Sequence, residues 1–240
     1  MNLETVIGAL NLGSIYAVMA LGIYITYKIL DFPDLTVDGS FPLGGAVTAA
    51  IINAGGNPAA AIAASAIAGT FAGFLTGVIH VKLKIRDLLS GIIMMTALYS
   101  VNFIIVGSKA SLPVTGKDTV FSNSFTRNLF GEKASDNAPL HNLFDFKELI
   151  TVVIFLIVLK VLLDLFMKSK RGYLLKAMGD NPTVVATLAK NGGNVKIMGL
   201  AIANAFVSIS GSLFCQYNKT FFLTDGTGKM VIGLAAVLSE

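Results

Sequence analysis

Long apolar runs separated by short polar breaks fill most of this chain, and the spacing of the breaks predicts its elements. Crossing about 30 Å of hydrocarbon takes about 20 helical residues. The first run, residues 3–27, meets that length and ends at Lys28. The next, residues 40–54, follows the segment Asp31–Pro42, whose three carboxylates and two prolines are incompatible with a continuous helix. It covers only about 22 Å as helix, so it is expected to be a short or broken span. Irregular backbone at membrane depth is tolerated only inside protein or beside a water-filled cavity, which makes this segment a candidate for the solute path. Asp38 and Ser40 are equally well placed to cap the second helix.

Further spans are expected at 59–81, 88–106, 149–166 and 197–217, and another apolar segment starts at 230 and reaches 240. Asn57 and Pro58 form an N-cap and first-turn pair ahead of the third span. Within that span Ala61, Ser65, Gly69, Gly73 and Gly77 recur every four residues, a row of small side chains that admits another helix backbone. The first span carries its own small row, Ala9, Gly13 and Ala17, and is the expected occupant of that groove, with a contact between subunits as the alternative. Thr96, Asn102 and Asn204 interrupt otherwise apolar helices, where they either bond neighbouring helices or face a solute. Lys160 and Asp164 lie one turn apart near the inner end of their span, a spacing suited to a snorkelling pair more than a proton relay.

Composition agrees: of 240 residues 54% are hydrophobic and 13% charged, against about 25% charged in soluble domains, and mean hydropathy is +0.74. The fold class is therefore an all-α integral membrane protein, one polytopic helix bundle. The basic turn 82–86 and the basic loop 167–196 belong in the cytoplasm, which puts the N-terminus and the loop 107–148 outside. That outer loop is neutral, with five basic and five acidic residues, and Phe121, Phe125 and Leu129 are spaced for a short amphipathic helix. In the inner loop Asn181 and Pro182 open a helix that Asn191, Gly192 and Gly193 are expected to close. Val184, Val185 and Leu188 give it an apolar face. So short a helix needs a receiving surface: the membrane, the rest of the chain, or a partner.

Three stretches carry a family resemblance: residues 33–41 (PDLTVDGSF), 88–102 (LLSGIIMMTALYSVN) and 171–182 (RGYLLKAMGDNP) with the helix that follows. Together they resemble permease subunits of bacterial ABC importers, in the family of branched-chain amino-acid, ribose and nucleoside permeases, and the first two are similar to a branch associated with aromatic amino-acid uptake. The resemblance implies a plasma-membrane permease that works as a pair, expected to be a homodimer, with a cytoplasmic ATPase and an external solute-binding protein. ATP and magnesium would sit on the ATPase, this chain holding no cofactor or metal and catalysing nothing itself. No nucleic-acid partner is expected. Arg171, Gly179, Asp180, Asn181, Pro182, Val184, Val185 and Leu188 then form the ATPase-coupling segment, and Asp34, Asp38, Gly39, Ser40, Phe41, Thr96, Asn102 and Asn204 the translocation path. Permeases of this kind continue for further spans, so the chain is expected to be truncated at its C-terminus.

Other chemistry finds little support. The stretch 226–229 (GTGK) lacks the first glycine and the final hydroxyl residue of a phosphate loop and is expected outside the membrane. His80, His141 and Cys215 stand without ligand or triad partners at a useful spacing. An ion- or proton-coupled carrier would rely on intramembrane carboxylates, for which only Asp164 and the pair Asp34 and Asp38 qualify. A membrane enzyme would need clustered acids and bases, where this chain has amides and hydroxyls.

Overall fold

The computed structural model describes residues 3–121, 141–180 and 192–238. Eight α-helices account for most of it. Helix α1 (Leu3–Ile23) continues as a π-helical turn to Ile29, α2 covers Val37–Asn53, α3 Pro58–Lys82, and α4 Asp87–Ile105. Then come α5 (His141–Met167), α6 (Lys170–Asp180), α7 (Gly192–Asn218) and the short α8 (Lys229–Leu238). Five of these, with α1 and its π turn taken as one, are long and apolar enough to cross a membrane. Two three-residue strands, β1 (Ser111–Pro113) and β2 (Thr220–Phe222), pair antiparallel at the outer end, Leu112 opposite Phe221.

Helix α7 is the axis of the bundle, and the reason is side-chain size. The row Ala61, Ser65, Gly69, Gly73 and Gly77 on α3 lies against it. A methyl group on Gly69 would strike Asn204 and Ser208, one on Gly73 Leu200, and one on Gly77 the Cα of Ile197 at 2.7 Å. Gly44 of α2 meets the backbone of Ser208, Gly211 meets that of Phe41, and Gly22 of α1 lies 2.6 Å from the Ala203 carbonyl, measured to an added Cβ. Without a hydrophobic force between helices in lipid, such close backbone approach is what holds them. The expected occupant of the α3 groove is thus corrected: it is α7 and not the first span. Gly13 has no atom of another element near a would-be Cβ, and Ala9 is exposed.

Several boundaries also move. Helix α2 starts at Val37, three residues before the expected span, and Pro42 lies in its second turn. Proline removes the N–H that would bond the Asp38 carbonyl, and that carbonyl instead packs against Gly226. Helix α5 begins at His141, eight residues before the expected span, and the inner loop holds a further helix, α6. Gly192 and Gly193 are the first residues of α7, and a Cβ on Gly193 would meet the Val81 side chain. The expected helix at 182–190 and the amphipathic pattern from Phe125 to Leu129 lie outside the described residues.

The two ends of the bundle are distinct. At one, Gly179 of α6 packs on the Ile29 carbonyl and Gly193 on Val81, which gathers the basic residues 82–86 and 168–176. At the other, the Asn53 side chain donates to the Pro113 carbonyl (3.1 Å), and the Gln216 carbonyl oxygen accepts from the Val120 N–H (2.9 Å). Helix α2 therefore connects the two faces, as the charge count requires.

Candidate translocation site

The segment between α1 and α2 turns because the π-helical end releases the chain at Asp31, whose φ of 50° is in the left-handed region that aspartate tolerates. It then enters the bundle, where Asp34 is 1% exposed. One Asp34 oxygen accepts from the Thr36 N–H (2.9 Å) and the other from the Asn204 amide nitrogen (2.8 Å). The Asn204 oxygen in turn accepts from the Ser40 hydroxyl at 2.7 Å. Thr36 and Thr76 hydroxyls are 3.0 Å apart, tying α3 to the same turn. Further out, Thr48 lies 2.9 Å from the Ser65 hydroxyl and 2.6 Å from that of Ser212. These groups satisfy one another fully inside protein, which makes them a lock joining α2, α3 and α7.

Beside the lock is a cavity of about 210 Å³, bordered by Asp38, Gly39, Pro42, Met95, Thr96, Tyr99, Asn102, Leu223 and Thr227. Four of the eight path residues named from sequence line it: Asp38, Gly39, Thr96 and Asn102. Asp34, Ser40 and Asn204 lie in the lock, and Phe41 belongs to an aromatic cluster described below. Thr96 hydrogen-bonds its own helix at Ile92 (2.8 Å) and Ile93 (2.9 Å). Asn102 donates to the Gly39 carbonyl at 3.2 Å, while its own oxygen, fully buried, has no protein partner. Such a buried acceptor calls for a water or a polar solute group.

The outer wall of this cavity is a feature that sequence reasoning misplaced. After β2 the chain turns back inward through a 3₁₀ turn (Leu223–Gly226) and delivers the start of α8 to the start of α2. Asp38 accepts from the N–H groups of Gly228 (3.1 Å) and Met230 (2.7 Å), capping a helix from 190 residues away in sequence. Within the 226–229 stretch Gly226 and Lys229 are buried against the bundle, while Thr227 is exposed. Helix α8 then descends along α1, its Gly233 packed on Ile23 and Met19. Lys229 is 9% exposed, donates to the Tyr16 hydroxyl at 2.8 Å, and stands over the rings of Tyr16, Phe214 and Phe41 at 4.4, 5.0 and 5.2 Å. The only signal available beforehand was a lysine opening an apolar run.

A second cavity, about 620 Å³, lies between α1, α5 and α8 and includes Tyr16, Lys160 and Asp164. The last two form the expected pair at 3.3 Å, both more than half exposed. His80 bonds the Ile85 carbonyl at 2.9 Å and meets Phe32 edge-on, a structural role. Of the coupling residues, Arg171 and Asp180 are exposed on α6 at the basic end, and Gly179 packs on α1; Asn181, Pro182, Val184, Val185 and Leu188 lie outside the described residues.

A bundle with five helices long and apolar enough to cross a membrane defines a multi-pass membrane protein. The chain belongs to the family described as branched-chain amino acid transport system / permease component, whose model matches residues 5–238. Among relatives, it is 36% identical over 233 residues to a tyrosine transport system permease protein of Clostridioides difficile, covering 97% of this chain and 72% of that one. It is also 30% identical over 236 residues to an uncharacterized protein of Rickettsia prowazekii, covering 98% and 76%. No solved structure matches the chain.

Proposed function

We propose that this chain is the permease subunit of an ATP-driven importer that moves an amino acid, of the aromatic class, inward past Asp38, Thr96, Asn102 and Thr227. The observation that carries this reading is the small cavity bordered by Thr96, Asn102 and Thr227, next to the start of α8, which Asp38 caps. The solute class rests on the tyrosine transport relative. Exposed residues of α6 and the loop that follows, from Arg171 to Leu188, dock on a separate ATPase, two permeases serving two ATPases, while an external binding protein supplies the solute. ATP hydrolysis belongs to that partner, and this chain needs no metal or cofactor of its own.

The test is uptake of L-tyrosine into proteoliposomes holding the permease, its ATPase and its binding protein. Uptake should require ATP and persist when proton and sodium gradients are abolished. In a Cys215→Ala background, Thr96→Cys and Thr227→Cys should react with a small water-soluble thiol reagent and lose uptake on reaction. Uptake driven by an ion gradient without ATP, or reaction without any effect on uptake, would count against the proposal.

A further inference from the structure

Three side chains bordering the smaller cavity have hydrogens already engaged and oxygen lone pairs left over. The Thr96 hydroxyl gives its proton to the carbonyls of Ile92 and Ile93 on its own helix. Asp38 is an acceptor only; each oxygen takes one N–H of α8, and a carboxylate oxygen has a second lone pair. Asn102 is the extreme case, fully buried, with its amide nitrogen on the Gly39 carbonyl and its oxygen without a protein partner. Packing fixes it in that pose. Gly39 lets α4 close on α2, since a Cβ there would lie 3.0 Å from Leu98 and 3.2 Å from the Cα of Met95. Met95, Leu98 and Asn102 follow at three- and four-residue steps and so share one face of α4.

A buried acceptor left unmet costs stability, so a donor belongs on the Asn102 oxygen. The cavity that Asn102 borders, about 210 Å³, is far larger than the roughly 10–15 Å³ that one water requires, so a single trapped water does not fill it. Acceptor oxygens on Asp38, Thr96 and Asn102 call for a group that donates and does not accept. Of the two charged ends of an amino acid the ammonium answers, with three N–H donors, no lone pair and a charge opposite to that of Asp38. A carboxylate would meet lone pairs there. We propose that the side-chain oxygen of Asn102 accepts a hydrogen bond from the ammonium group of the transported amino acid, so that Asn102 is a specificity-determining residue of the path. This assignment rests on the importer reading above and adds to it the end of the solute that the small cavity receives.

The test compares L-tyrosine with 3-(4-hydroxyphenyl)propanoate, which keeps the ring and the carboxylate and lacks the ammonium. Equilibrium binding of each is measured on the purified permease–ATPase complex, alongside ATP-driven L-tyrosine uptake in proteoliposomes that also hold the binding protein. Wild type should bind L-tyrosine about tenfold or more tightly, the scale of one hydrogen bond to a charged group. Asn102→Leu removes the acceptor and should erase that preference; Asn102→Ala serves where the Leu variant does not fold. Asn102→Asp gives up the bond to Gly39 as Leu does but keeps an acceptor, and should retain the preference, which separates recognition from the tie between helices. A folded Leu or Ala variant with the wild-type preference, or a folded Asp variant without it, overturns the assignment. Wild type that takes up L-tyrosine with ATP yet binds both compounds equally overturns the assignment alone and leaves the importer reading standing. Wild type without ATP-driven uptake overturns the importer reading and the assignment with it.

Discussion

At the scale of single residues, the inner end of α2 depends on atoms that leave no room for substitution. Pro42 frees the Asp38 carbonyl, and Gly226 fills the space in front of it, with the Pro42 ring carbons 2.6 and 2.8 Å from a would-be Cβ. Space, and not backbone conformation, demands glycine here, in contrast to Gly228, whose φ of +75° is the left-handed kind and whose surroundings are open. Gly226→Val should therefore overpack the joint between α2 and the half-helix, costing about 1–3 kcal/mol. Thermal unfolding of the purified permease in detergent measures this: a Tm for Gly226→Val equal to wild type would show that the joint yields freely. Neither Pro42 nor Gly226 announces the contact, because 184 residues separate them and no periodicity links them.

At the scale of elements, the bundle is ordered by which faces are small. The α3 row is legible from its spacing alone, since nothing in lipid rewards five small residues on one face. Its occupant is not, because α1 and α7 both offer small residues at suitable intervals. The choice falls to α7 because Gly22, Gly44 and Gly211 bring α1 and α2 onto that same helix, so one central axis satisfies three grooves at once. Gly73→Leu and Gly69→Leu should accordingly abolish folded permease, seen as loss of the monodisperse peak in size-exclusion chromatography. Folded monomer that fails only to dimerise would instead place the groove at a subunit boundary. Capping shows the opposite balance: Asn57 accepts from the Ala59 N–H at 2.9 Å with Pro58 in the first turn, as local sequence grammar requires.

At the scale of the whole molecule, the basic end carries α6 and the loop after it, with Arg171, Lys176 and Asp180 exposed. Docking of that end on an ATPase predicts that Val185→Asp or Leu188→Asp, each replacing an apolar residue that the sequence spaces for one helix face, abolishes ATPase co-purification while the permease still inserts. Retained co-purification in both variants would exclude this segment as the coupling contact. The neutral outer face, with its β1–β2 pair, is left for a solute-binding protein under the same proposal.

Hydropathy and helix caps are properties of neighbouring residues in a chain surrounded by lipid, and they make the all-helical membrane bundle and the capped start of α3 legible without help from tertiary contacts. Only packing could decide the rest. Asn204 looked like an isolated amide until Asp34 and Ser40 were placed on either side of it. Asp38 looked like a cap for its own helix and caps α8 instead. Lys229, read as the end of a failed phosphate loop, is the buried cation of an aromatic cluster. Each depends on partners roughly 160 to 215 residues apart. Amides, carboxylates and ammonium groups bond any suitable neighbour within about 3 Å, so their roles are settled by which helices meet, and in this protein small residues on α3 and α7 settle that.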